Sequence, residues 1–159
     1  MTDTPLEGGC ACGNVRYRLA SPPLFVHCCH CTSCQTETGS AFVINALIEH
    51  DRVALLSGAP EPVQTPSDSR RGQTIWRCPA CRVALWSNYA DAGPRFHFVR
   101  VGTLDRPTAL PPEVHIYTCS KLPWVRLPEG VPAVAEYYER SQLWPADSLA
   151  RRARHLESA

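Results

Sequence analysis

Eight of the nine cysteines lie in three clusters, and their spacing could do chemistry. The clusters are Cys10-x-Cys12, Cys28-Cys29-His30-Cys31-x-x-Cys34 and Cys78-Pro79-Ala80-Cys81, with Cys119 alone. An odd number of cysteines cannot pair completely as disulfides within one chain. Residues 1–9 show no basic start followed by an apolar run, so no secretory signal is expected. A cytoplasmic, reducing setting follows as the expectation, and there clustered cysteines point to metal binding or catalysis.

Zinc takes four tetrahedral ligands, with Zn–S near ~2.3 Å. A C-x-x-C turn aims two thiolates at one point, and two such pairs from distant parts of a chain can close a structural site. Cys78 and Cys81 form one pair. Cys10 and Cys12 form a second, because Gly13 relaxes the turn that a single intervening residue demands. The plainer reading makes Cys10 and Cys12 core thiols, but it leaves Cys78 and Cys81 without partners. The middle cluster differs. Cys29, Cys31 and Cys34 place three thiolates within six residues, enough to wrap one face of a metal and leave a fourth position open. A thiol from outside could fill that position and be held as thiolate at neutral pH. A thiolate beside a carbonyl compound is what thiol addition to an aldehyde requires.

The elements that must position these residues read as mostly β. Val15, Tyr17 and Leu19 alternate with polar residues, which is strand periodicity. Leu24 to Val26 leads into the middle cluster. Ala41 to Ile48 and Val53 to Leu56 read as strands, as do Thr74 to Arg77, Val83 to Trp86, Phe96 to Val101 and Val114 to Thr118. Residues 57–72 hold three prolines and two glycines and predict an irregular connection. Helices are expected over Ala133 to Leu143 and over Asp147 to Leu156. The second would have Asp147 or Ser148 as N-cap, an apolar stripe of Leu149, Ala153 and Leu156, and Arg151, Arg152 and Arg154 on a solvated face. Fifteen prolines in 159 residues favour short strands and turns over long helices.

Composition excludes several classes. With 44% hydrophobic and 19% charged residues the chain is no disordered tail. Its longest mostly apolar run, Ala41 to Ile48, is far short of the roughly 20 residues a membrane helix needs. A formal charge of +1 gives no reason to expect a nucleic-acid partner. With no repeat and no long linker, one domain over 1–159 is expected, with a core of about 7–138 and a helical tail of about 139–159. Among the remaining residues, Cys28 is expected to be a buried inert thiol pointing away from Cys29, and Cys119 a core thiol. His30 reads as an outward-facing or supporting histidine, and His115 as either structural or site-facing. His27, His50, His97 and His155 have no supporting constellation. Arg70 and Arg71 read as a solvated loop, and Ser40 as a turn residue.

Several of these motifs together resemble the glutathione-dependent formaldehyde-activating enzyme family, also described as the centromere-protein-V/formaldehyde-activating domain. The pieces are Gly9-Cys10-Ala11-Cys12-Gly13-Asn14-Val15-Arg16-Tyr17, Cys29-His30-Cys31-Thr32-Ser33-Cys34, Gly39, Cys78-Pro79-Ala80-Cys81, His115-Ile116-Tyr117 and Lys121-Leu122-Pro123-Trp124. The resemblance implies small twisted sheets stapled by a structural zinc on Cys10, Cys12, Cys78 and Cys81. It implies a second zinc on Cys29, Cys31 and Cys34, where substrate is handled. It further implies a carbon–sulfur lyase run in reverse, joining formaldehyde and glutathione into S-(hydroxymethyl)glutathione. The alternative is a module that binds or carries zinc or thiol without turnover; a purely structural two-zinc module with a protein partner is a third reading. Two positions depart from the family pattern. Gln35 stands where a basic residue is usual, removing a charge that could meet a substrate carboxylate. Arg82 stands where a glycine is usual, which points to a different turn at that knuckle.

Overall fold

The computed structural model describes residues 5–67 and 69–158; residues 1–4, 68 and 159, and with them the outer bounds of the expected 1–159 unit, lie outside it. Among the described residues ten strands form two sheets. β1 (Leu6–Gly9), β2 (Arg16–Leu19) and β5 (Val53–Ser57) make an antiparallel three-stranded sheet in the order β1-β2-β5. The larger sheet has seven strands in the order β10-β3-β4-β9-β8-β7-β6. Its members are β3 (Phe25–Cys29), β4 (Val43–Glu49), β6 (Glu61–Thr65), β7 (Gln73–Arg77), β8 (Ala84–Tyr89), β9 (Phe96–Arg100) and β10 (Val114–Ile116). All its pairings are antiparallel except β10 with β3, which is parallel.

The seven-stranded sheet is covered on both faces, which explains why β4 reads as a mostly apolar run. Ala46 and Ile48, with Val26 and Val99, pack against Tyr17 and Leu19 of the small sheet and Val15 just before it. Val43 and Leu47 face the other way, with Phe25, Cys29, Phe96, Val114 and Ile116. This second face is closed by the C-terminal segment, through Trp144 and the partly buried Val134, Tyr138, Leu143 and Leu149.

Several expectations are corrected. Residues 57–72 are not wholly irregular: β6 pairs with β7 from Glu61↔Arg77 to Thr65↔Gln73. Pro62 is tolerated there because β6 is the outermost strand, where a missing N–H costs no ladder bond. The helix expected over Ala133 to Leu143 is confined to α2 (Arg140–Leu143). Before it the chain runs alongside β10 and the following turn, with Val134 N–H bonding His115 O, and Thr118 N–H bonding Val134 O. Those backbone groups satisfy the sheet edge rather than a helix. Helix α3 (Ala146–Glu157) starts ahead of the expected cap, directly after Pro145, with no side-chain cap bond. Its expected faces hold in part: Leu149 packs on the core and Arg154 is exposed, but Ala153 and Leu156 are exposed too, and Arg151 and Arg152 dock the helix. Arg151 donates Nε–H and Nη2–H to the buried Glu49 carboxylate at 2.7 and 2.8 Å, and Arg152 lies over the Phe96 ring. The strand through Thr118 stops at Ile116, because Tyr117 enters a left-handed conformation (φ 55°) and a 3-10 turn follows. That turn carries Cys119 to the surface, not into the core.

Candidate functional site

The first cysteine group forms where the small sheet meets the β7–β8 knuckle. Gly13, at φ 76°, supplies the left-handed turn that returns the chain after Cys12. Cys10 N–H bonds Val15 O and Cys78 N–H bonds Val83 O, so the two knuckles are built alike. Ligand sulfurs of Cys10, Cys12, Cys78 and Cys81 all lie within 4.8 Å of one another. The Cys10–Cys12 and Cys12–Cys78 separations are 3.5 and 3.7 Å. A sulfur tetrahedron around zinc has an edge of roughly 3.8 Å, so the donor set fits a soft divalent ion. Backbone amides favour the thiolate form: N–H groups of Val83 and Cys12 draw Cys81 down to about 6. Arg82 does not alter the turn as its bulk suggests. It adopts the left-handed conformation itself (φ 63°), its N–H bonding Cys78 O.

The second group is built by a helix that sequence periodicity missed. α1 (Thr32–Thr38) begins at Cys31, whose sulfur accepts the Cys34 N–H at 3.4 Å. It ends at Gly39 in the left-handed region (φ 62°), whose N–H bonds Gln35 O. Cys29, from the end of β3, and Cys31 and Cys34, from the start of α1, bring their sulfurs within 4.8 Å of each other, all three buried. Gln35 fixes this loop from behind. Its Nε2 donates to His30 O at 2.8 Å and Ser120 O at 2.9 Å, and so faces backbone rather than a substrate charge.

The electrostatics suit a cation. Sulfhydryl bonds from Cys29 and Cys31 draw Cys34 down to about 4 against its burial, with help from Arg100 and the Tyr89 hydroxyl. Cys29 is pushed far up by bonds to Cys31 and Cys34 and by burial. Cys31 is also raised: its bond with Cys29 works downward, but Cys34 and burial outweigh it. Three crowded thiols thus carry one negative charge readily and resist a second, a resistance that a divalent ion removes. Beneath them Arg100 is buried, bonded to Asn45 Oδ1 and, at 2.9 Å, to Ser87 Oγ. Its hydrogen-bond partners are neutral side chains, and its charge helps lower the Cys34 thiol pKa.

Cys29, Cys31 and Cys34 border a cavity of about 300 Å³, also lined by His27, Tyr89, Phe98, Tyr117, Tyr137 and Arg140. The sequence reading missed Arg100, Tyr89, His27, Tyr137 and Arg140. Strand parity held a signal for some of them, since His27 and Cys29 share one face of β3 and Asn45 is directly opposite both His27 and Arg100 in the ladder. Arg71, expected in a solvated loop, pairs with Asp91 on the cavity lining. Cys28 is buried and faces away from Cys29, and burial pushes its thiol up to about 12. It lies 3.6 Å from His30 Nε2, which lies 3.0 Å from His115 Nδ1, so His30 and His115 support each other behind the loop. Of the tryptophans, Trp86 is in the core and Trp124 is 68% exposed. Among the described residues no helix is long and apolar enough to cross a membrane.

Known proteins are similar to this chain. A Halomonas elongata protein named "Putative glutathione-dependent formaldehyde-activating enzyme" is 28% identical over 133 residues, covering 77% of this chain and 80% of its own. A crystal structure of a Rhodobacter sphaeroides protein aligns with a TM-score of 0.47 at 21% identity, over 62% of this chain and 87% of that one. Residues 5–120, the span that contains both cysteine groups, match the family described as glutathione-dependent formaldehyde-activating enzyme. By that match the chain belongs to the glutathione-dependent formaldehyde-activating enzyme family.

Proposed function

We propose that this protein is a zinc-dependent carbon–sulfur lyase that adds a small thiol of the glutathione type to formaldehyde or a related carbonyl. In this reading Cys10, Cys12, Cys78 and Cys81 hold a structural zinc within a single domain, and Cys29, Cys31 and Cys34 hold a second at the catalytic cavity. The observation that carries it is the convergence of three buried sulfurs on the wall of a cavity large enough for a small thiol and an aldehyde. Zinc on those sulfurs would supply a positive charge that keeps an incoming thiol in its thiolate form at neutral pH.

The chain supplies the rest. Phe98 and Ile116 give the cavity apolar walls that limit water. The thiolate lone pair forms the new carbon–sulfur bond, the C=O π pair moves to oxygen, and the oxygen takes a proton. Burial raises the Tyr89 phenol above its ordinary range, with the Cys34 charge adding, so it stays protonated. Its single O–H, which favours the Cys34 thiolate, would turn from that sulfur to donate to the developing alkoxide. Nine free cysteines suit a reducing compartment, for which we take the cytoplasm.

Exchange spectroscopy on formaldehyde and glutathione tests the proposal, because the uncatalysed addition also proceeds. The protein is expected to speed exchange between free and thiol-bound formaldehyde, and Cys31→Ser to abolish the acceleration. Exchange no faster with protein than without refutes the enzyme and leaves a thiol or zinc carrier.

A further inference from the structure

The cavity has a second wall of different chemistry, formed by His27 of β3 and by Tyr137 and Arg140 of the C-terminal segment. His27 is 2% exposed, and a chain of hydrogen bonds sets where its ring proton sits. The Trp144 indole N–H, which can only donate, bonds the Tyr138 hydroxyl oxygen at 2.7 Å. The Tyr138 hydroxyl lies 2.6 Å from His27 Nε2, and we assign its proton to that contact. With Nε2 accepting, Nδ1 carries the ring proton. That Nδ1 is buried and bonds nothing among the described residues.

Arg140 repeats the pattern. Its Nε is buried with no partner, and its guanidinium lies 6.0 Å from the ring centroids of both Tyr137 and Trp144. Among the described residues it forms no ion pair. Arg152 is near enough that Arg140, after burial, lowers its pKa. Of the described residues lining the cavity, Asp91 carries the one carboxylate, and Arg71 holds it. The orphan acceptor on the lining, Gln73 Oε1, is an uncharged amide oxygen.

We propose that His27 Nδ1–H and Arg140 Nε–H form a carboxylate-binding subsite, so that the thiol this cavity selects is an acidic one. A carboxylate accepts hydrogen bonds and donates none, which complements two orphan donors and a net positive wall. Arg140 and Tyr137 fall outside residues 5–120, so the family match covers only the His27 side of this wall. The subsite would also supply the substrate charge contact that Gln35, turned to backbone carbonyls, does not make. The inference rests on the reading of the cavity as a thiol site.

Calorimetric binding of 3-mercaptopropionate and of its methyl ester to the zinc-loaded protein, compared at equal thiolate concentration, tests it. The wild type is expected to bind the acid on the order of tenfold more tightly than the ester. Arg140→Gln is expected to lose that preference, and Arg140→Lys to retain part of it. Equal affinity of the wild type for the two probes overturns the subsite while leaving the thiol reading standing. So does an Arg140→Gln protein that keeps the full acid-over-ester ratio. Binding of neither probe overturns both. The wild-type comparison needs no variant and stands even if a substitution disturbs folding.

Discussion

Replacing Arg151 with methionine would remove the ion pair that fastens α3 over the cavity-bearing face. The Glu49 carboxylate is 1% exposed and receives two charge-assisted bonds from Arg151, at 2.7 and 2.8 Å. Its other cation, Arg52, is 3.5 Å away and 40% exposed. Breaking a buried pair from one side typically costs about 3–5 kcal/mol, because the remaining charge is left uncompensated. Arg52 retains part of that compensation here, so the expected loss is about 2–3 kcal/mol. The double substitution Arg151→Met with Glu49→Met should recover most of it, since no buried charge remains. The pH dependence has a definite sign. Burial works to raise the Glu49 pKa, but the Arg151 bonds outweigh it and hold the value below the ordinary 4.5. The pair's contribution is therefore complete above about 4.5 and is lost as pH falls through the lowered folded value. Urea denaturation at saturating zinc would show wild type and Arg151→Met well separated near neutrality and converging in acid. A neutral-pH difference below about 0.5 kcal/mol would refute the reasoning, as would a gap that widens on acidification.

Other outcomes follow from the same structure. Arg82→Gly removes a left-handed non-glycine residue and only a weak exposed pair with Glu61, so it should stabilise by about 0.5–1 kcal/mol in urea denaturation. A loss there would contradict the assigned turn. Gln35→Leu leaves His30 O without its Nε2 bond and removes the link to Ser120 O, a cost of about 1–3 kcal/mol. The same protein should release zinc from the Cys29 group faster under chelator than wild type does. Chelating the Cys10–Cys81 group should raise hydrogen exchange first in β1, β2 and the β7–β8 knuckle, because that group joins them. Uniform loss of protection across both sheets would argue against a local staple.

Much of the candidate site was legible in the sequence because closely spaced cysteines are constrained over short range. A C-x-x-C or C-x-C turn fixes where its sulfurs point before any tertiary contact forms, so both cysteine groups could be read from spacing. Alternation likewise marked β2, and a mostly apolar run marked β4. What escaped depends on partners distant in the chain. Residues 32–38 carry no apolar period, and α1 is held instead by the Cys31 and Gly39 caps. Residues 133–139 have a composition compatible with a helix, but the open edge at β10 captures their backbone. The arginines of α3 look like a solvated run until Glu49 and Phe96 are brought beneath them. The cavity wall escaped for the same reason, since His27 and Arg140 are 113 positions apart along the chain.

The account depends most on Cys29, Cys31 and Cys34 holding a divalent ion in addition to the one on Cys10, Cys12, Cys78 and Cys81. Elemental analysis of zinc per chain, on protein purified under reducing conditions, tests this directly when wild type is set beside Cys31→Ser. The account expects about two zinc ions in the wild type and one in the variant, from two groups of convergent sulfurs. One zinc in both proteins would contradict it.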